Sequence, residues 1–309
     1  MQKIIIDTDP GQDDAVAILL ALASPELEVL GITAVAGNVP LALTQVNARK
    51  IVELAGCDTP VFAGADAPLD RPLVTAEHVH GKTGLDGPDL PEPDLPLQDQ
   101  HAVSFLIDTL QAASPGEITL CALGPLTNLA MALKRAPECV TGIKEIVAMG
   151  GGLFEGGNIT PTAEFNIFVD PVAAQTVFDC GRPVTLMPLD VTHQALTTRA
   201  RVERFRALGT PVGIATAELL DFFERFDEAK YGTDGGPLHD PNVIAWLLAP
   251  ELYQGRHINV TVETTSPLTM GMTVADYWRV TDRTPNVHYI RHVDAEGFFE
   301  LLTTRLARL

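Results

Sequence analysis

The feature that most constrains the fold is a series of short apolar segments without polar alternation, separated by helical patterns. Ile118–Leu123 and Val184–Leu189 show it clearly, because apolar side chains occupy most of their positions. A strand of this kind is buried on both faces, as in a parallel sheet that helices cover on both sides. The pattern therefore predicts a doubly wound α/β fold, in which a mostly parallel central sheet carries helices on both faces.

No linker-like composition divides residues 1–309, so we expect a single domain. Residues 64–100 are rich in proline and glycine and lack apolar periodicity, which predicts a long loop over the sheet. The strands are predicted at Lys3–Ile6, Val29–Ala36, Val61–Ala63, Ile118–Leu123, Ile143–Met149, Val184–Leu189, His257–Glu263 and Pro285–Arg291. The helices are predicted at Asp14–Ala23, Leu41–Ala55, His101–Ala113, Leu126–Arg135, Pro171–Asp179, Arg199–Leu208, Pro211–Ala229, Pro241–Leu248 and Ala295–Leu306.

Composition and charge exclude several classes of protein. A hydrophobic fraction of 46% supports a sizeable core, and a charged fraction of 20% argues against disorder. The net charge of -19 repels phosphate backbones, so we expect no nucleic-acid partner. No apolar segment is long enough to predict a membrane span, and the first residues do not resemble a signal peptide. The four cysteines (Cys57, Cys121, Cys139 and Cys180) form no C-x-x-C pair, which favours free thiols in a reducing cytoplasm.

An aspartate-rich segment, Asp7-Thr8-Asp9-Pro10-Gly11-Gln12-Asp13-Asp14, directly follows the first predicted strand. In an open parallel sheet, ligands bind outside the carboxyl ends of the strands. Pro10 and Gly11 predict a tight turn that folds the two aspartate pairs toward each other. One or two such carboxylates would suit caps and turns, but four of them repel one another unless a cation lies between them. The segment therefore predicts a metal or catalytic site.

The donor types and the motif placement narrow the choice of site. Oxygen-only ligands favour Ca²⁺ or Mg²⁺, and irregular loop ligands with backbone carbonyls suit Ca²⁺ better. A dinucleotide site would need G-x-G-x-x-G after the first strand, and this sequence lacks it there. A haloacid-dehalogenase-like phosphatase also has D-x-D after its first strand, but it expects a distant acidic pair and a lysine. Here Asp13 and Asp14 follow at once, so that fold remains a minor alternative.

Further polar and glycine-rich segments follow predicted strands or precede predicted helices. Parallel strands end at one edge of the sheet, so these segments are expected near the aspartates. Each alone is also typical of ordinary turns, and their ordered combination is the stronger signal. They are Ala36-Gly37-Asn38, Gly124-Pro125-Leu126-Thr127-Asn128, Met149-Gly150-Gly151-Gly152, Glu164-Phe165-Asn166 and His239-Asp240-Pro241.

With these motifs in place, the chain resembles the inosine-uridine-preferring nucleoside hydrolase family over nearly its whole length. The segment His80-Gly81-Lys82-Thr83-Gly84-Leu85-Asp86-Gly87 belongs to the same set. The resemblance implies a ribonucleoside hydrolase, which cleaves the bond between ribose and a nucleobase with water. It also implies one Ca²⁺ at the bottom of the pocket and a homodimer or homotetramer.

The resemblance also implies roles for individual residues. The calcium ligands would be Asp9, Asp14, the backbone carbonyl of Thr127, and Asp240, with the ribose 2′- and 3′-hydroxyls and one water. Asp9 would activate that water, and His239 and Asn166 would complete the catalytic group. The substrate contacts implied in this way are Asp13, Asn38, Met149, Glu164, Phe165 and Asn166 around the ribose, and His80, His239 and Tyr231 near the base.

These residue types suit the chemistry of N-glycosidic hydrolysis. Cleavage builds positive charge on the ribose, which nearby carboxylates stabilise. Chelation of the ribose diol would orient the sugar, so 2′-deoxyribose substrates are expected to react poorly. The leaving base carries negative charge, and His239 is a candidate to protonate it. A calcium-dependent binder of nucleosides or ribose is the alternative, but a binder needs no water-activating base such as Asp9.

The preferred base is the least determined property. In bacterial members that prefer pyrimidines, a glutamine is expected one helical turn before the tyrosine. Here Asp227 occupies that spacing before Tyr231, and Phe223 lies one turn further back. We expect uridine and cytidine as substrates, with inosine as a close competitor.

Overall fold

The computed structural model describes residues 1–231 and 235–309, and it describes side chains in 1–225 and 235–309. Within these residues, nine strands form the central sheet, and two short strands pair separately. The central strands are β1 (Gln2–Thr8), β2 (Leu27–Ala34), β3 (Val61–Ala63), β4 (Leu97–Gln98), β5 (Ile118–Ala122), β6 (Ile143–Met149), β7 (Val184–Met187), β8 (Tyr253–Ile258) and β11 (Val287–Val293). The separate pair is β9 (Val260–Val262) and β10 (Thr273–Ala275).

Helices connect most of the strands. They are α1 (Gln12–Leu22), α2 (Leu41–Leu54), α3 (Glu77–His80), α4 (Ala102–Ala112), α5 (Thr127–Arg135), α6 (Phe165–Val169), α7 (Pro171–Phe178), α8 (Leu189–Thr192), α9 (Arg199–Arg206), α10 (Pro211–Tyr231), α11 (Pro241–Leu248) and α12 (Ala295–Leu306). Two 3₁₀ helices span Pro137–Gly142 and Pro250–Leu252. Over the described residues, no helix combines the length and the apolar character that a bilayer crossing requires.

The three successive isoleucines of β1 show how the sequence builds two core layers. Successive side chains of a strand point to opposite faces of the sheet. Ile4 and Ile6 pack with residues of α1, α2, α11 and α12, whereas Ile5 packs with residues of α4, α5 and α7. All three side chains are fully buried. The predicted doubly wound α/β fold, with helices on both faces, is confirmed.

The strand order places a ligand crevice beside β1. The order is β4-β3-β2-β1-β5-β6-β7-β11-β8, and every neighbouring pair is parallel except β11 with β8. The chain therefore leaves β1 in one direction through β2, β3 and β4, and resumes on the other side with β5. Ligands of open α/β sheets bind at such a reversal, outside the carboxyl ends of the strands. Here those ends are Thr8 of β1 and Ala122 of β5.

The structure corrects two of the predicted segments, and it adds short elements that the sequence did not predict, among them α6, α8 and β10. Residues 64–100 are not loop throughout, since they contain α3 and the two-residue strand β4, where Leu97 pairs with Val61. A strand this short leaves no periodic pattern in the sequence. The predicted strand His257–Glu263 is divided between β8 and β9, because the Asn286 side chain bonds both Val260 backbone groups and draws that segment away from the sheet.

Candidate active site at the carboxyl end of the sheet

Asp9 lies where β1 ends, enclosed by the loops that follow β2 and β5. A Cβ atom on Gly37 would collide with Asp9 Oδ2, and one on Gly124 would collide with Asp9 Oδ1. The two glycines therefore let both loop backbones approach the carboxylate closely. The motifs Ala36-Gly37-Asn38 and Gly124-Pro125 meet Asp9 for this reason.

Asp9 and Asp14 differ in how fully their carboxylate oxygens are hydrogen-bonded. The Asn38 backbone N–H donates to Asp9 Oδ2 at 2.7 Å, while Asp9 Oδ1 is buried without a partner among the described residues. Asp14 accepts from the Thr8 hydroxyl at 2.5 Å, the Gly11 N–H at 2.9 Å and the Asn38 amide at 3.1 Å. Asp14 is thus fixed by protein donors, whereas Asp9 keeps one buried oxygen for a ligand.

Three buried carboxylates converge beside Asp9. One oxygen each of Asp13, Asp14 and Asp240 lies within 4.8 Å of the other two, and all three residues are buried. Buried like charges at this spacing are costly unless a cation lies between them. The donors are oxygens only, so the cluster fits a hard divalent cation, and the unpartnered oxygen of Asp9 supports the same fit.

The geometry groups these residues somewhat differently from the sequence. The sequence predicted Asp9, Asp14, the Thr127 carbonyl and Asp240 as metal ligands, and Asp13 as a contact of the ribose. In the structure, Asp13 stands with Asp14 and Asp240. Thr127 begins α5, is buried, and its hydroxyl donates to Asp170 at 2.8 Å. The ligand roles of Asp9, Asp14, the Thr127 carbonyl and Asp240, and the ribose contact of Asp13, stay predictions.

The pKa values of the aspartates are raised because several acidic side chains are buried close together. Burial first, and then the charge of Asp14, raise the pKa of Asp13 to about 8. Burial and the charges of Asp14 and Asp13 raise the pKa of Asp9 well above its usual range, and burial with the charges of its aspartate neighbours does the same for Asp240. Burial alone raises the pKa of Asp7 to about 7, against hydrogen bonds from Thr33 and Asn128. The cluster therefore favours either bound protons or a bound cation.

A second wall comes from the loop after β6 and the start of α6. Glu164 caps α6, accepting from the N–H groups of Asn166 at 2.9 Å and Ile167 at 3.2 Å. It also accepts from the Gly151 N–H at 2.9 Å, and burial raises its pKa to about 7. The Asn166 amide donates to the Leu123 carbonyl at 2.6 Å, and this bond joins α6 to the end of β5.

These groups line one partly open cavity with two chemically different parts. Its acidic and amide part is formed by Asp13, Asn38, Met149, Glu164, Asn166 and Asp240. Its aromatic and imidazole part is formed by His80, Phe165, His193, Phe223 and His239. The first part suits the hydroxyls of a sugar, and the second suits a planar ring.

His80 is fixed by Gln12, a residue of the aspartate segment to which the sequence assigned no role. The Gln12 amide nitrogen donates to the His80 carbonyl at 3.0 Å and the Asp86 carbonyl at 3.1 Å, which leaves its oxygen as an acceptor. His80 Nδ1 lies 2.8 Å from that oxygen, so Nδ1 carries the proton and Nε2 is an acceptor. Burial lowers the pKa of His80 to about 3, which keeps the ring neutral.

His239 is fixed by α8, an element that the sequence did not predict. Its Nδ1 lies 2.8 Å from the Thr192 hydroxyl, and its ring stands edge-on to Phe223 at a centroid distance of 6.4 Å. Burial first, and then electrostatic repulsion from the neighbouring His193 ring, lower its pKa well below the usual range. The Asn242 amide bonds the carbonyls of Leu238 and His239, which holds the backbone of this turn.

Most of the side chains that the sequence singled out converge here. Asp9 and Asp14 lie at the base of the site, and the other predicted side chains that the structure describes, Thr127 aside, line its cavity. Tyr231 and Asp227 lie outside the residues whose side chains the structure describes. The sequence missed Gln12, Asn158, Thr192 and His193. Gln12 lies within the quoted motif, whereas Thr192 and His193 lie in a short segment without any motif signal.

Comparison with known sequences gives consistent matches. The family model described as inosine-uridine preferring nucleoside hydrolase matches residues 4–300. A pyrimidine-specific ribonucleoside hydrolase, RihA, of Salmonella typhimurium is 50% identical over 306 residues, covering 98% of this chain and 97% of that protein. An uncharacterised protein of Schizosaccharomyces pombe is 54% identical over 308 residues, covering 99% of each chain.

Solved structures agree with the sequence matches. A purine-preferring ribonucleoside hydrolase from Gardnerella vaginalis has a TM-score of 0.92 at 35% identity, covering 99% of this chain and 98% of that one. The plant nucleoside hydrolase PpNRh1 has a TM-score of 0.92 at 34% identity, covering 99% of both chains. The likeness therefore extends over the whole fold, including the edge of the sheet where the acids converge.

Proposed function

This chain belongs to the inosine-uridine preferring nucleoside hydrolase family and is an N-glycosyl hydrolase, and we propose that it hydrolyses pyrimidine ribonucleosides in a calcium-dependent reaction. One observation carries the proposal. A buried acidic cluster at the switch point of the sheet opens into a cavity whose other part is aromatic. That polarity matches a molecule with a diol at one end and a flat base at the other.

The acidic part of the cavity would hold the ribose. Glu164 and Asn166 are fixed by backbone contacts, so their remaining hydrogen-bonding capacity is preorganised for hydroxyl groups. Asp13, Asp14 and Asp240, with Asp9 beside them, would hold the cation. When bound there, Ca²⁺ supplies positive charge that orients a diol and makes a nearby water easier to deprotonate.

Asp9 is the candidate general base. Asn38 holds one of its oxygens, and the other oxygen is buried without a partner among the described residues. A carboxylate so placed can accept a proton from an attacking water, while its neighbours keep it in one orientation. The carboxylates around it also stabilise the positive charge that develops on the ribose as the glycosidic bond breaks.

Buried His80 and half-buried His239 would meet the leaving base with different hydrogen-bonding characters. His80 Nε2 is an acceptor, because Gln12 fixes the proton on Nδ1. If the Thr192 hydroxyl donates to His239 Nδ1, then Nε2 of His239 carries a proton and faces the developing negative charge. A neutral imidazole is an effective donor to such charge in a buried site.

The choice of pyrimidines rests on sequence likeness. RihA of Salmonella typhimurium, named as pyrimidine-specific, is 50% identical to this chain. The Gardnerella vaginalis enzyme, named as purine-preferring, is 35% identical. Inosine is the second candidate substrate, because the purine-preferring enzyme shares the fold at a TM-score of 0.92.

The direct test is release of reducing sugar from uridine, cytidine, inosine, adenosine, guanosine and 2′-deoxyuridine in the presence of Ca²⁺. We expect uridine and cytidine to react fastest. We expect 2′-deoxyuridine to react roughly 10⁴-fold more slowly than uridine, because a site built to bind a hydroxyl discriminates strongly against its absence. Fast hydrolysis of inosine alone would replace the pyrimidine assignment. No ribose from any substrate, with folded and calcium-loaded protein, would leave a nucleoside binder.

Thr192→Val tests the orientation of His239. The substitution keeps the shape of the side chain and removes the hydroxyl, so the His239 ring loses its fixed tautomer. We expect kcat for uridine to fall about tenfold, the equivalent of one hydrogen bond, while KM changes little. Thr192→Ser, which keeps the hydroxyl, is the matched control and should stay near wild type. Full activity in Thr192→Val would show that the hydroxyl does not orient His239, and a loss in Thr192→Ser alone would show that the methyl group matters instead.

A further inference from the structure

The Gln12 side chain is fully buried beside the loop that carries His80. Its amide nitrogen donates to the carbonyls of His80 and Asp86 at 3.0 and 3.1 Å. Since a carbonyl can only accept, these two bonds identify the nitrogen and turn the amide oxygen toward His80 Nδ1, 2.8 Å away. The partners of Gln12 therefore fix its orientation, and His80 Nδ1 is the donor.

The other ring nitrogen of His80, Nε2, is consequently an acceptor. Burial lowers the pKa of His80 to about 3, so the neutral ring carries one proton, and that proton lies on Nδ1. Nε2 has no hydrogen-bond partner among the residues that the structure describes. His80 lines the cavity, and its ring centroid lies 5.6 Å from that of Phe223 in the aromatic part. A ligand there meets an acceptor at His80, which favours a ligand that presents a donor.

A second buried amide holds the same loop without touching the imidazole. Asn47 Nδ2 donates to the Pro10 carbonyl at 3.0 Å and to the Thr83 carbonyl at 2.8 Å. The loop between His80 and Asp86 is thus joined to neighbouring segments by two amides, each of which bridges two carbonyls. Of the two, only the Gln12 amide also accepts from a ring N–H. The chain therefore separates the task of holding the loop from the task of fixing the ring.

From this arrangement we infer that Gln12 is a positioning residue for base selection, which holds His80 in the tautomer whose Nε2 accepts a hydrogen bond from an N–H of the nucleobase. The inference rests on the proposed function and deepens it by naming the hydrogen-bonding chemistry of the preferred base. The N3–H of uracil, the N4 amino group of cytosine and the N1–H of hypoxanthine meet this requirement. A base without such a proton leaves Nε2 unpaired in a site closed to water.

The test compares Gln12→Met with Asn47→Leu, because each removes a buried amide that bridges two carbonyls and nearly keeps the size of the side chain. Neither residue lines the cavity, so neither variant changes the room for a substrate. kcat/KM is measured for uridine and for 3-methyluridine, which lacks the N3–H. We expect wild type to prefer uridine, and Gln12→Met to reduce that preference about tenfold, because the Nδ1–H tautomer of His80 then leaves a buried donor unpaired.

The loss in Gln12→Met should come from uridine, with 3-methyluridine nearly unchanged. Asn47→Leu should lower Tm about as much as Gln12→Met does, while it keeps the preference for uridine. Nitrogen NMR of histidine-labelled protein gives a readout that does not depend on turnover, with the His80 signals assigned by their absence from His80→Ala. We expect the proton on Nδ1 in wild type and Asn47→Leu, and on Nε2 in a large fraction of Gln12→Met.

The outcomes separate this inference from the proposed function. If wild type hydrolyses neither uridine nor inosine, the proposed function fails, and the NMR spectrum alone then decides the tautomer. If wild type is active and Gln12→Met keeps the full preference, or Asn47→Leu loses as much of it, the role of Gln12 in base selection is overturned. Equal rates of wild type on uridine and 3-methyluridine, or a proton on Nε2 of His80 in wild type, would also overturn it. These last two results need only wild type, so they decide the matter even if Gln12→Met does not fold.

Discussion

Asp9→Asn is expected to lower kcat for ribose release by about 10³-fold, within the range that removal of a general base produces. The substitution keeps the size of the side chain, and its carbonyl oxygen can still accept the N–H of Asn38. It removes the group that takes the proton from water. The measurement is the steady-state rate of reducing-sugar release from uridine at saturating Ca²⁺.

Two controls make the result specific to proton transfer. Asp66→Asn removes an exposed carboxylate outside the site and should leave kcat unchanged. Calcium binding by Asp9→Asn, followed by calorimetry, should persist, since Asp13, Asp14 and Asp240 still converge. A variant that retains near wild-type kcat would exclude Asp9 as the base. A variant that no longer binds calcium at all would make Asp9 chiefly a metal ligand.

Removal of the cation is expected to abolish ribose release and to make folding stability fall steeply as pH rises from 5 to 8. The carboxyls of Asp13, Asp7 and Glu164 have folded-state pKa values raised to about 8, 7 and 7, mainly by burial. The unfolded chain releases those protons near pH 4, whereas the metal-free folded chain retains them until about pH 7 to 8. The folded state therefore binds more protons across this window, and raising the pH favours unfolding.

Calcium should reverse this behaviour, because a bound divalent cation stabilises the ionised carboxylates in the folded state only. At a calcium concentration about 100 times Kd, the stabilisation is roughly 2.7 kcal/mol, and Tm should rise by roughly 4 °C. The measurement is thermal unfolding at pH 5, 6, 7 and 8 after chelation, with and without added Ca²⁺. A Tm independent of both pH and calcium would show that the acidic cluster does not hold the ion. Restoration by Mg²⁺ and not by Ca²⁺ would change the identity of the metal.

The sequence predicted the elements that have a recognisable apolar pattern and the segment that carries a dense motif. The buried strands and the aspartate segment are of this kind, because a uniform apolar run must be covered on both sides and four clustered carboxylates need a neutralising partner. The strand β4 and the helix α8 were missed because two to four residues leave no periodic pattern. Thr192 and His193 contact His239 and Glu155, which lie distant in the chain, so no local signal reports them.

The grouping of the acids shows a second limit of sequence reasoning. Spacing within Asp7–Asp14 predicts a cluster, but it cannot decide which carboxylates face one another. In the structure, the turn through Pro10 and Gly11 brings Asp13 and Asp14 toward Asp240, more than 200 positions along the chain. The homodimer or homotetramer and the cytoplasmic location likewise stay predictions from resemblance and composition.

The enclosure of Asp9 by Gly37 and Gly124 separates the molecule into a part that tolerates redesign and a part that does not. Around Asp9 the site is formed by backbone atoms at the edge of the sheet, so its shape depends on the strand register. No side chain fits at position 37 or 124. The aromatic and imidazole part of the cavity is composed of side chains from α3, α6 and α10, from His193 directly after α8, and from the turn before α11. A mutagenesis library confined to residues 79, 193 and 223 would thus sample new base preferences while it preserves the acidic part of the cavity.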